Sequence, residues 1–218
     1  GGTTLYFRRD VGELFLGAWR LLQGRLDRAA RLLLLLIVAT LPAVVAGFLV
    51  KMLWGTNFRN VEVVAWTTLG FGLLLWLADR MGLTVRRVDH LRWRDALVLG
   101  LFQVLALVPG TSRSGITMTA GRFIGMERPD AARFSMLMSI PTILGAGVLA
   151  GLELHERGSA ALTVDAVLAA VFAFVAALIA IALLMAWLRR AGFMPFVVYR
   201  VVLGAGLLWL VYGAGLTL

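Results

Sequence analysis

Residues Pro109-Gly110-Thr111-Ser112-Arg113-Ser114-Gly115 interrupt a chain that is strongly apolar on either side of them. An arginine on irregular backbone at membrane depth is costly and is kept where it faces protein or a water-filled cavity. The chemistry this set suits is anion binding. Gly110 and Gly115 permit backbone shapes that expose successive N–H groups, and a helix starting near Ser112–Ser114 points its positive dipole end at the break. Thr111, Ser112 and Ser114 add hydroxyl donors, and Arg113 supplies a planar, permanently charged fork that matches phosphate oxygens. Arg113, Ser112 and Ser114 are therefore the candidate catalytic groups. Gly110, Thr111 and Gly115 are the candidate cradle for a phosphate or diphosphate, together with Gln103 and Thr117. Gln103, about two helical turns before the break, either lines the site or bonds a neighbouring helix. A serine nucleophile needs a base, and none is visible. His90 sits among loop arginines and His155 in an acidic loop, and both read, with Glu153 and Glu156, as solvated.

The elements that must position this break are apolar helices. The chain has 218 residues, of which 61% are hydrophobic, and a mean hydropathy of +0.90. Long apolar runs cover 32–50, 63–78, 134–152, 166–188 and 196–218, each near the ~20 residues that cross a bilayer. No ten-residue alternating segments of the kind a transmembrane barrel needs are present. The 24 glycines suit close helix packing, and Gly121-x-x-x-Gly125 reads as one such seam. There is no cysteine, so there is no disulfide framework. The net charge of +9 resides in short loops between apolar runs, which points to membrane orientation rather than to nucleic acid.

Basic residues orient the spans. Residues 1–31 carry Arg8, Arg9, Arg20, Arg25, Arg28 and Arg31, and 79–95 carry Arg80, Arg86, Arg87, Arg92 and Arg94. The loops 51–62 and 153–165 are poor in arginine and lysine, whereas 189–195 has Arg189 and Arg190. The positive-inside rule puts 1–31, 79–95 and 189–195 in the cytoplasm. Segment 96–126 must then enter and leave on the cytoplasmic side, as a re-entrant hairpin whose second arm runs from Ser114 to about Met126 and whose tip is Gly110–Gly115. The expectation is an all-α integral membrane protein, one membrane domain over 1–218, with about five spans and one re-entrant helical hairpin. The chain starts at Gly1 with no leader layout, and a further segment is expected to precede it.

Two phosphate motifs fail. The Gly110–Gly115 spacing imitates a P-loop, but Ile116-Thr117 stands where Lys-Ser/Thr is required. The acid-phosphatase type of lipid phosphatase needs a histidine where this chain has Thr119.

The run Phe102-Gln103-x-Leu105-Ala106-Leu107-x-Pro109-Gly110-Thr111-Ser112-Arg113-Ser114-Gly115-x-Thr117 resembles the signature of bacterial undecaprenyl-diphosphate phosphatases of the bacitracin-resistance type. So do Ala131-Ala132-Arg133-Phe134-Ser135-x-Leu137-x-Ser139-Ile140-Pro141, Tyr6-Phe7-Arg8-Arg9, Leu41-Pro42-Ala43-Val44-Val45-Ala46-Gly47 and Phe193-x-Pro195-Phe196-x-x-Tyr199-Arg200. The resemblance implies hydrolysis of a polyprenyl carrier diphosphate to the monophosphate, which recycles the carrier for cell-wall synthesis. It also implies a multi-pass protein of the bacterial inner membrane, built from an inverted-repeat pair with two re-entrant hairpins. The family's second-hairpin arginine maps onto Arg113, and its hydroxyls onto Thr111, Ser112 and Ser114. The family's first hairpin, with its glutamates, Pro-Val-Ser-Ser turn and histidine, has no counterpart here. A divalent cation (Mg2+ or Ca2+) is implied with its ligands outside this chain, and a homodimer is a further expectation. The rival readings are a transporter or flippase of phosphorylated lipids, whose broken helices serve anionic substrates equally well, and an inactive fragment.

Overall fold

The computed structural model describes residues 2–54, 60–82, 85–156 and 160–213, with the side chains of 2–11, 51, 54, 143–167, 170, 174 and 178 outside that description. The described elements are helical: α1 Gly2–Leu22, α2 Arg28–Trp54, α3 Val61–Met81, α4 Trp93–Val104, α5 Arg113–Phe123, α6 Arg128–Glu156, α7 Ala160–Leu188 and α8 Met194–Gly213. Short 3-10 turns cover Val88–His90 and Leu105–Leu107. The protein is an all-α membrane protein. Among the described residues four helices are long and apolar enough to cross a bilayer: Arg28–Val50, Val61–Met81, Val171–Leu188 and Met194–Gly213. The expected span 134–152 lies inside α6, and its side chains beyond 142 fall outside the described residues, as do those of His155, Glu153 and Glu156.

Packing follows the logic of a lipid solvent, in which close contact between backbones replaces the hydrophobic drive. α3 and α8 meet where a Cβ on Gly204 would lie 2.9 Å from the Leu69 backbone nitrogen, and one on Gly72 would lie 3.0 Å from the Arg200 Cβ. α2 and α4 meet at Gly100, opposite the Ala39 carbonyl and Pro42. One buried cluster joins Leu35, Leu36, Leu91, Leu99, Met126, Phe134 and Leu137; a second joins Leu75, Met118, Met185, Phe193 and Val197. Large apolar side chains such as Phe48 (67% exposed) and Leu183 (66%) point outward, as a lipid-facing surface requires.

The element that carries the site is the pair α4–α5. With 12 and 11 residues, the arms are about 18 and 17 Å long, each well short of the ~30 Å hydrocarbon thickness. α4 starts at Trp93 because Asp95 accepts the Arg92 N–H at 2.8 Å in a capping box. α5 starts at Arg113 rather than Ser114, because Ser112 is its N-cap and accepts the Gly115 N–H at 3.2 Å. It stops at Phe123 rather than near Met126, because Gly125 has φ +87° and turns the chain. The expected Gly121–Gly125 seam is thus half right. Gly121 is a close contact, 2.9 Å from the Ala131 Cβ of α6 for a built Cβ, whereas Gly125 is a helix terminator.

Two further differences concern elements that local pattern did not reveal. Residues 2–22, expected as a basic cytoplasmic segment, form a full helix. Residues 85–92 form a strap zipped to the α5–α6 junction. Arg86 and Met126 pair as a parallel bridge, Arg86 N donates to Gly125 O at 3.0 Å, and Glu127 N donates to Arg86 O at 2.9 Å.

Candidate active site

The tip of the hairpin is held from outside by its carbonyls. Gly110 adopts φ +86°, and a Cβ there would collide with Thr67 Oγ1 and with the Val64 carbonyl of α3, so only glycine fits. Thr67 Oγ1 donates to Pro109 O at 2.6 Å, and Thr68 Oγ1 to Gly110 O at 3.2 Å. From the other side, Arg200 NH2 on α8 donates to Gly110 O at 3.0 Å. With these carbonyls turned toward α3 and α8, the break leads directly into the α5 N-terminus. Ser112 caps the third amide there, and the amides of Arg113 and Ser114 precede the first intrahelical acceptor.

The sequence-derived site residues fall into two groups. Ser112, Arg113 and Ser114 come together at the α5 N-terminus, with the two serine hydroxyls 3.3 Å apart. Arg113 NH1 lies 3.2 Å from Thr142 Oγ1 and 3.5 Å from the Met138 carbonyl, both on α6. Its Nε and NH2 donate to no described residue, so most of the fork remains for an anion. Gly110, Thr111 and Gly115 shape the turn beside it, and Thr111 Oγ1 is buried without a hydrogen-bond partner among the described residues.

Thr117 lies elsewhere. It is 2% exposed, and its hydroxyl sits 2.6 Å from Ser135 Oγ on α6 and 2.9 Å from the Arg113 carbonyl. That hydroxyl joins α5 to α6. Gln103 is also 2% exposed, and its Oε1 has no partner among the described residues. A buried amide oxygen left unpaired is costly, and so Gln103 fits the lining reading better than the helix-bonding one.

Sequence reasoning passed over Arg200, Thr67, Thr68 and Thr142. Arg200 had a signal: it is the one charged residue in the apolar stretch 196–218, and ionisable groups at membrane depth mark function by default. The threonines had none, because a hydroxyl in a membrane helix commonly bonds its own backbone.

The tip holds guanidinium, hydroxyl and amide groups and no carboxylate or imidazole. Among the described residues no group of three or more His, Cys, Asp or Glu could hold a metal. These residues alone do not form a ligand set for a divalent cation, whose ligands the resemblance places outside this chain.

The family model described as "Bacitracin resistance protein BacA" matches residues 2–206. The chain belongs to the bacitracin resistance protein family. Similar members include "Undecaprenyl-diphosphatase 1" of Rhodospirillum rubrum, 51% identical over 213 residues, covering 97% of this chain and 76% of that protein. "Undecaprenyl-diphosphatase" of Ruegeria pomeroyi is 50% identical over 214 residues, covering 97% and 80%. The protein of that name from Alteromonas mediterranea is 46% identical over 211 residues, covering 95% and 79%. The match to the bacitracin resistance family includes the whole hairpin, the N-terminal half of α6 and Arg200.

Proposed function

We propose that this protein is an undecaprenyl-diphosphatase of the bacterial inner membrane that hydrolyses a polyprenyl carrier diphosphate to the monophosphate and thereby contributes to bacitracin resistance. The observation that carries the proposal is Arg113. It stands at the first position of α5, beside two helix amides without an intrahelical acceptor, with one nitrogen of its guanidinium engaged among the described residues. Relatives at 46–51% identity named for this activity support the same reading.

In the proposed reaction water supplies the incoming oxygen. The bond between the terminal phosphorus and the bridging oxygen breaks, inorganic phosphate leaves, and the lipid keeps one phosphate. Arg113, the Arg113 and Ser114 amides and the hydroxyls of Ser112, Ser114 and Thr111 hold the diphosphate and oppose the charge that accumulates on the transferred group. The positive end of α5 adds to this field. Gly110 and Gly115 let the backbone approach the phosphates, and Gln103 lines the turn. The hairpin is re-entrant in this proposal: arms of 17–18 Å carry the tip to about mid-bilayer and back. No step is assigned to a metal.

The test is phosphate release from purified C55 lipid diphosphate by the protein expressed from its gene's full reading frame. Stoichiometric phosphate and lipid monophosphate are expected. Movement of intact lipid diphosphate across vesicles without phosphate release would replace the hydrolase with a carrier.

A further inference from the structure

We infer that Thr142 is the positioning residue for Arg113: its hydroxyl fixes one corner of the guanidinium so that the other nitrogens face the diphosphate. This rests on the hydrolase reading and names a part of that site which sequence comparison did not single out. A threonine hydroxyl has a single proton. Thr142 Oγ1 donates it to the Met138 carbonyl, one turn earlier in α6, at 3.0 Å. Toward Arg113 NH1, 3.2 Å away, it can therefore act only as an acceptor. The Met138 carbonyl, 3.5 Å from the same NH1, lies behind it. A guanidinium is planar and rigid, so one fixed nitrogen together with the Cδ stem sets the plane of the whole fork. Placement of this kind decides whether donors meet charge as it develops.

A purely structural role would make Thr142 a fastener between α5 and α6, yet that job is already filled. Thr117 and Ser135 join the two helices through their hydroxyls, and Gly121 seats against Ala131. Neither contact touches the guanidinium. Thr142 is half-buried at the level of the tip, while those contacts lie deeper along α5.

The experiment compares the full-reading-frame protein with Thr142→Val, which keeps the shape and removes the acceptor, with Thr142→Ser, which restores it, with Arg113→Ala and with the Arg113→Ala/Thr142→Val double variant. The readouts are kcat/KM for phosphate release, the Kd for inorganic pyrophosphate, and thermal unfolding in detergent. Thr142→Val is expected to lower kcat/KM about 10–100-fold and weaken pyrophosphate about tenfold with an unchanged unfolding temperature, and Thr142→Ser to recover to within about threefold. In the Arg113→Ala background Thr142→Val should weaken pyrophosphate no further. Wild-type turnover in Thr142→Val, failure of Thr142→Ser to rescue, or an equal loss in the Arg113→Ala background overturns the assignment. A wild-type protein that binds pyrophosphate but releases no phosphate defeats the hydrolase reading alone, and the pyrophosphate comparison then decides Thr142. A wild-type protein that does neither defeats both.

Discussion

The two ends of the α4–α5 hairpin each hold an arginine, half-buried at the tip and fully buried at the base, and they treat it in opposite ways. At the base, Arg122 is 1% exposed and every nitrogen of its fork is matched. Nε donates to Asp79 Oδ1 at 3.1 Å, NH1 to Met126 O at 2.5 Å, and NH2 to Asp79 O and Gly82 O at 3.2 and 3.0 Å. Arg128 completes the group by donating to Asp79 at 2.7 and 3.2 Å. At the tip, Arg113 uses a single nitrogen, and Gln103 Oε1, Thr111 Oγ1 and Arg200 Nε are buried without partners among the described residues. A satisfied buried charge specifies structure, whereas an unsatisfied cluster reserves its capacity for a ligand. Removing either arginine should therefore damage a different property.

The largest effect is expected from Arg113→Ala. Loss of the main cationic donor should lower kcat/KM for phosphate release by at least about 100-fold, with an unfolding temperature close to wild type. A variant that unfolds early would show that the tip arginine is structural and would erase the contrast. At the base, Arg122→Met leaves Asp79 and several carbonyls underpaired and should cost about 3–5 kcal/mol of stability. Thermal unfolding in detergent and the yield of folded protein report this, while turnover per folded molecule should stay near wild type. Unchanged stability would mean that the base network is dispensable.

Ser112 sharpens the comparison at the tip. Ser112→Ala removes the cap and should cost about 1 kcal/mol, together with activity. Ser112→Asn keeps a capping oxygen without a hydroxyl. If it restores activity as well as stability, Ser112 acts as a cap alone; if it restores stability alone, the hydroxyl itself takes part in holding the diphosphate.

The smallest effect belongs to Asp130 in the base, where burial raises the carboxyl above its ordinary value although the Val88 N–H donates to it at 3.0 Å. The fold therefore takes up a proton between the ordinary carboxylate pKa and the raised one. Stability from this group is greatest below that window and falls as pH rises through it. Asp130→Asn retains an acceptor for Val88 and should flatten that acid-side dependence, shifting neutral-pH stability by no more than about 0.5 kcal/mol. Unfolding temperature measured against pH checks this.

Tip and base also differ in how far the sequence reveals them. The tip was legible because its signals are local: Pro109 and Gly110 break an apolar run, and an arginine stands beside them. Ser112 was also visible, but a serine before a helix is ambiguous between cap and nucleophile until the Gly115 N–H is located. The base was invisible because its meaning lies in long-range pairing. Asp79 and Arg122 are separated by 43 residues, and the arginines of 79–95 read as orientation signals, which says nothing about which carboxylate each one meets. Helix α1 was missed for a related reason: its polar residues give no apolar run, and contacts with α2 such as Gly17 against the Ala29 carbonyl accompany the helix. Thr117 was placed in the cradle by motif alone, although its hydroxyl faces Ser135.

The bond from Arg200 to the Gly110 carbonyl spans 90 residues of chain. Translation at about 5–20 residues per second delivers the hairpin to the membrane roughly 5–20 s before the arginine that steadies its tip has been made. The turn is thus steadied only after the hairpin itself has been made, and a nascent protein stalled ahead of α8 would carry Arg113 in place while the turn beneath it still lacked this strut.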